Sequence, residues 1–121
     1  MKQIDTFTEF WPFYLNEHKQ KDTRLLHFVG TGFSFIFLSL GIIVDPSLLI
    51  LAPLFGYGFA WISHYYVERN RPATFTHPWW SLLADYKMFY LMCLGKIDGE
   101  LKRYEIPHQS DRHFPQDNKL P

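Results

Sequence analysis

The chain has 121 residues, 47% of them hydrophobic and 19% aromatic, with 12 basic and 12 acidic side chains. That length allows one domain, and the charge balance excludes an electrostatic nucleic-acid binder as the default. A single cysteine, Cys93, excludes an intramolecular disulfide and a Cys-rich zinc site.

The first predicted element is an amphipathic helix. Phe7, Phe10, Trp11, Tyr14 and His18 fall at helical spacing on one face, with Glu9, Asn16 and Glu17 elsewhere. Its aromatics suit the headgroup boundary of a bilayer, and Pro12 is expected in the first turns or at a kink. Then come two apolar runs, Leu25 to Val44 and Leu48 to Val67, each 20 residues without Asp, Glu, Lys or Arg. A spanning helix needs about 20 mostly apolar residues. Asp45-Pro46-Ser47 separates the runs and is a turn signal, because proline disfavours helix in the residue before it. The expectation is a transmembrane helical hairpin. Its first run begins too far along the chain for a cleaved leader. Basic residues flank the open ends (Lys19, Lys21 and Arg24 before, Arg69 and Arg71 after) and the turn has none, so both ends are expected in the cytoplasm.

Beyond the hairpin, Thr76-His77-Pro78 reads as a helix start. The run Trp79 to Leu94 is 16 residues long and carries Asp85 and Lys87 in its middle, which predicts a re-entrant, interfacial or third membrane helix packed on the hairpin. The fold class is therefore all-α. Residues 1–104 are expected as one helical membrane domain. Residues 105–121, with three prolines and little periodicity, are expected as a polar, flexible tail, and His108 and His113 within it are set aside.

The other four histidines carry the chemistry. His27 lies 19 residues before Pro46 and His64 lies 18 after it. In an antiparallel hairpin both are therefore roughly 28 Å from the turn, level with each other. His27, Thr31, Ser34 and Gly41 share a stripe on the first span, and Gly56, Ala60 and His64 share one on the second. Small residues mark the faces where membrane helices approach, so the two imidazoles are expected to point at each other. His18 and His77 lie just outside the spans at the same end.

Imidazoles with a carboxylate suit an oxygen-activating iron site, and Glu17, Glu68 and Asp85 are the carboxylates near that layer, as ligands or in support. Two level histidines also suit axial haem ligation and electron transfer, and interfacial histidines suit a non-catalytic membrane scaffold. The arginines suit lipid heads or a substrate carboxylate; for the latter Arg71, beside Asn70 in a tight connection near His64, comes first and Arg24 second. Signatures of common soluble enzymes are absent.

Two blocks carry a family resemblance. Phe10-Trp11-Pro12-Phe13-Tyr14-Leu15-Asn16-Glu17-His18 followed by Arg24-Leu25-Leu26-His27-Phe28-Val29-Gly30-Thr31, and Ser63-His64-Tyr65-Tyr66-Val67-Glu68-Arg69-Asn70-Arg71-Pro72-Ala73-Thr74-Phe75 followed by His77-Pro78 and Trp80-Ser81-Leu82, resemble the Mpo-like family of small membrane proteins. The resemblance covers Phe7 to Lys96. It implies an iron(II)-dependent dioxygenase that converts 2-hydroxy fatty acids, with molecular oxygen, to fatty acids one carbon shorter. The metal ligands it implies come from His18, His27, His64 and His77; the residues themselves put His27 and His64 forward as catalytic and Arg24, Asn70 and Arg71 toward the substrate. It also implies an integral membrane protein, of the inner membrane in a bacterium or of the endoplasmic reticulum in a eukaryote. Partners would be the lipid bilayer, substrate and oxygen, with a homo-oligomer left open and no nucleic acid.

Overall fold

The computed structural model describes residues 4–107, and these are helical, with no strand among the described residues. Helix α1 (Phe7–Asn16) starts at Thr6, whose hydroxyl accepts from the Glu9 amide at 3.2 Å. Pro12 sits inside it without ending it. Helix α2 (Lys21–Ile43) is followed by a 3-10 turn, Pro46–Ile50, capped by the Asp45 carboxylate on the Ser47 amide at 3.0 Å. Helix α3 (Leu51–Ile62) widens into a π turn, Ser63–Glu68. After a short 3-10 turn at Ala73–Phe75 come α4 (Pro78–Cys93), with proline at its first position, and α5 (Ile97–Arg103).

Helices α2 and α3 pack along their length in descending register. Leu49 lies on Gly41, Ser34 on Gly56 and Phe59 on Gly30, which is the pattern of antiparallel neighbours. The approach needs glycine: a Cβ at Gly30 would stand 2.7 Å from the Phe59 Cβ. Facing phenylalanines close the seam, with Phe33 and Phe37 against Phe55 at ring separations of 5.4 and 5.0 Å.

Two stretches, Lys21–Ile43 and Pro46–Glu68, are long and apolar enough to cross a membrane. Only 22% and 17% of their apolar windows are buried. A core helix of a water-soluble bundle hides most of its apolar surface, whereas here Ile36, Ile42, Leu54 and Ile62 all lie more than half exposed.

The protein's own core sits elsewhere. Phe10, Trp11, Tyr14 and Leu15 of α1 are buried against Ala84 and Met88 of α4, Ile97 and Leu101 of α5, and Ile106. The aromatics of α1, expected at the headgroup boundary, thus face protein. Both mid-segment charges of α4 have partners on α1: the Lys87 amine lies 4.3 Å from the Trp11 ring centre, and Asp85 accepts from the Tyr14 hydroxyl at 2.5 Å. Helix α4 also lies along α2, with Phe89 stacked on Phe28 at 4.7 Å. Ile106 is buried although the stretch from 105 on was expected as a tail; His108, His113 and the rest of that tail lie outside the described residues.

Candidate metal centre

Three separate turns of chain bring three histidines together. His18 follows the last turn of α1, His27 lies in the second turn of α2, and His64 lies in the π turn after α3. All three are at least 97% buried. Their ring centres are 4.4 Å (His18 to His27), 4.5 Å (His18 to His64) and 5.0 Å (His27 to His64) apart. Among the described residues they form a group whose ligand atoms all lie within 4.8 Å of one another.

Hydrogen bonds set which ring nitrogen faces inward. His18 Nδ1 donates to the Tyr14 carbonyl at 2.6 Å, a group at the open end of α1. His27 Nδ1 donates to the Thr23 carbonyl at 3.0 Å and to Ser63 Oγ at 3.1 Å, while the Ser63 hydroxyl itself donates to the Ala60 carbonyl at 2.6 Å. His64 Nδ1 donates to Asn70 Oδ1 at 2.6 Å. With Nδ1 protonated in each ring, every Nε2 carries a lone pair. The Nε2 atoms of His18 and His27 are nevertheless 3.0 Å apart. Two lone-pair nitrogens repel at that distance unless a cation lies between them. Nitrogens bound at about 2.1 Å and at right angles to one ion would have that spacing. The residues fit a metal ion, and their outer bonds to carbonyl and amide oxygens are those that orient histidine ligands.

The surroundings hold this arrangement in place. Arg69 adopts a left-handed conformation (φ 59°), which turns the chain so that the Asn70 amide donates back to the His64 carbonyl at 2.9 Å. The Asn70 side-chain amine donates to the Glu17 carbonyl at 3.1 Å and to the Glu17 carboxylate. Glu68 accepts from the Gln20 amide at 2.5 Å. The end of α1, the start of α2 and the π turn are thereby tied into one ring of contacts.

Electrostatics favour neutral imidazole and an unusual carboxyl. Burial, reinforced by the neighbouring His27 and His64 rings, holds His18 well below the ordinary histidine range. Burial also raises Glu17, with Glu68 adding repulsion. Asp85 stands 3.9 Å from His27 Nε2, beside the triad rather than within it. Burial pushes its carboxyl up to about 7, the Tyr14 hydroxyl pulling the other way.

The remaining residues singled out in the sequence have other places. His77 is not gathered with the three; its ring stacks on Trp80 at 5.6 Å and packs on Phe10 at 5.3 Å. Arg24 is fully buried and donates to the carbonyls of His18 and Lys19 at 2.9 and 2.7 Å. Arg71 is exposed and lies over the Phe75 ring at 5.1 Å. Tyr14 and Ser63 were missed. Each sits next to a histidine, Ser63 by sequence and Tyr14 by one helical turn, and that adjacency was the available signal.

Where Asp85 and His27 meet, a crevice of about 420 Å³ opens between α2, α3 and α4. Leu38 and Leu49 line its other end.

The family model for 2-hydroxy-palmitic acid dioxygenase Mpo1-like proteins matches residues 4–97, which include α1 through α4 and every histidine of the cluster. The chain belongs to this family. No curated protein and no solved structure matches it. The family's name points to a dioxygenase and to a fatty-acid substrate in a membrane setting, and the three buried histidines are a place where a metal ion could be held.

Proposed function

We propose that this chain is a membrane-embedded, iron(II)-dependent dioxygenase that converts 2-hydroxy fatty acids to fatty acids one carbon shorter. The observation that carries the reading is a buried group of three histidines whose ligand atoms lie within 4.8 Å of one another, each ring held by a bond at Nδ1. Family membership supplies the reaction class. In this reading α2 and α3 cross the bilayer as a hairpin with both open ends in the cytoplasm, α4 is an interfacial or re-entrant helix on its side, and the site lies at the cytoplasmic rim.

His18, His27 and His64 would hold the iron, which supplies a Lewis acid and an electron source for oxygen. The protein's own groups do the rest. Asn70, Ser63 and the carbonyls of Tyr14 and Thr23 keep the three rings in the tautomer that can bind a cation. Asp85, with a carboxyl pushed up to about 7, takes the proton of the substrate's 2-hydroxyl and returns one to product. Tyr14 orients Asp85 through its hydroxyl. Arg24, buried beside His18, supplies positive charge on that side for the substrate carboxylate. The overall change, RCH(OH)COOH plus O2 giving RCOOH, CO2 and H2O, removes four electrons from two substrate carbons and delivers all of them to oxygen. No further reductant enters the balance.

An axial haem fits this cluster poorly. Nitrogens on opposite faces of a macrocycle would stand about 4 Å apart with bonds near 2 Å, and a third ring would have no place between them.

The test is turnover. Protein purified without oxygen, given Fe(II), 2-hydroxypalmitate and then oxygen, is expected to release the acid one carbon shorter and CO2 in equal amounts. Absence of that product from iron-loaded protein would overturn the proposal.

A further inference from the structure

The crevice beside the histidines has the polarity of an amphiphile. His27 and Asp85 form one end, and beyond them a mostly apolar wall reaches Leu38 and Leu49. Hydroxyls of Thr31, Ser34, Tyr57 and Tyr86 also line it, and that of Ser34 is already satisfied, donating to the Thr31 carbonyl at 2.8 Å. From His27 to Leu38 the α2 wall runs eleven positions, about 16 Å at the helical rise, along the outer part of which the apolar spans carry it toward the middle of the bilayer.

We infer that this crevice holds the acyl tail of the substrate, with the carboxyl end at His27 and Asp85, the tail running along α2 toward the turn, and Gly56 as the position that sets the usable chain length. The inference rests on the dioxygenase reading for the identity of the acid, and on the crevice alone for the place and direction of the tail. Gly56 and Ser34 both line the crevice, and a Cβ added at Gly56 would meet Ser34 Cβ at an ordinary 3.6 Å. The backbone therefore has room for a side chain at 56. Because Gly56 lines the crevice, a branched side chain there would take up space that a tail would use.

Each methylene excluded from an apolar berth should weaken binding about fourfold. In Gly56→Leu protein the long tail no longer passes, so binding of 2-hydroxypalmitate should fall by at least tenfold. Shorter 2-hydroxy acids, ending before the block, should bind nearly as well as before. Gly58→Leu is the control, since Gly58 lies outside the crevice and an added Cβ meets nothing within 4 Å.

The experiment uses the full chain in detergent micelles and a palmitic acid carrying a diazirine at mid-chain. Light should attach the probe to the segment around Ser34 and to the segment around Gly56. Excess 2-hydroxypalmitate should displace it. Gly56→Leu should lose the label while keeping its iron, and Gly58→Leu should keep both. Labelling of the outer face of α4 (Trp79, Leu83, Tyr90) instead, or full labelling of Gly56→Leu, would overturn the inference. So would displacement by phosphatidylcholine but not by the acid, which would assign the crevice to a structural lipid. If the crevice takes the label and the acid is never shortened, the dioxygenase reading falls and the acyl site stands. If the acid is shortened while the label goes elsewhere, the reading stands and this assignment falls.

Discussion

Asn70 holds the His64 ring through its side-chain carbonyl and Glu17 through its amide, so a single residue joins the end of α1 to the histidine that follows α3. Removing it leaves His64 free to rotate. Asn70→Ala is expected to weaken iron binding by about 10- to 100-fold, read by titration of metal-free protein, with the helix content unchanged by circular dichroism. Unaltered affinity would mean that the His64 ring is held by other contacts. His18 predicts a pH dependence. Its folded value lies well below the ordinary histidine value of about 6.5. The unfolded chain therefore takes up a proton that the folded chain refuses. This contribution to stability is complete above that pH and is lost as pH falls toward the folded value. Thermal unfolding of the metal-free protein should accordingly shift down below about pH 6.5, and less so in His18→Gln.

At the scale of elements, the seam between α2 and α3 is what brings His27 and His64 level. A tight approach of the two helices themselves is at Gly30, where a Cβ would strike Phe59. Gly30→Leu forces α2 and α3 apart and should cost about 1–3 kcal/mol, seen as a lower Tm, whereas Gly58→Leu should leave Tm nearly unchanged. Equal Tm values for the two variants would show that the seam is looser than described. The facing of α2 and α3 was legible in the sequence because small residues recur at helical spacing and the proline turn fixes the count on either side. The partners of α1 were not legible. An aromatic stripe reads the same whether it meets lipid headgroups or protein, and Ala84, Met88, Ile97 and Leu101, which cover it, lie some seventy to ninety residues along the chain. The π turn escaped for a related reason: no residue type marks it, yet it aims His64 and brings Ser63 under His27. His77 looked equivalent to His18 because both flank the spans, but spacing along the chain does not show that the ring packs on Phe10 and Trp80.

As a whole, the molecule divides its surface in two. The α1, α4 and α5 helices bury a protein core, while the α2–α3 pair leaves most of its apolar windows uncovered. Such a surface calls for lipid. The protein is expected to remain in the membrane fraction after alkaline carbonate extraction, and release into the supernatant would contradict the hairpin. The account as a whole stands on the three-histidine centre. Its most direct measurement is iron content per chain after anaerobic purification, compared across single alanine variants at residues 18, 27, 64 and 77. One iron per chain is predicted in the unaltered protein and in His77→Ala, with loss in His18→Ala, His27→Ala and His64→Ala while each keeps its helix content. Iron retained in full by a well-folded His27→Ala or His64→Ala protein would contradict it.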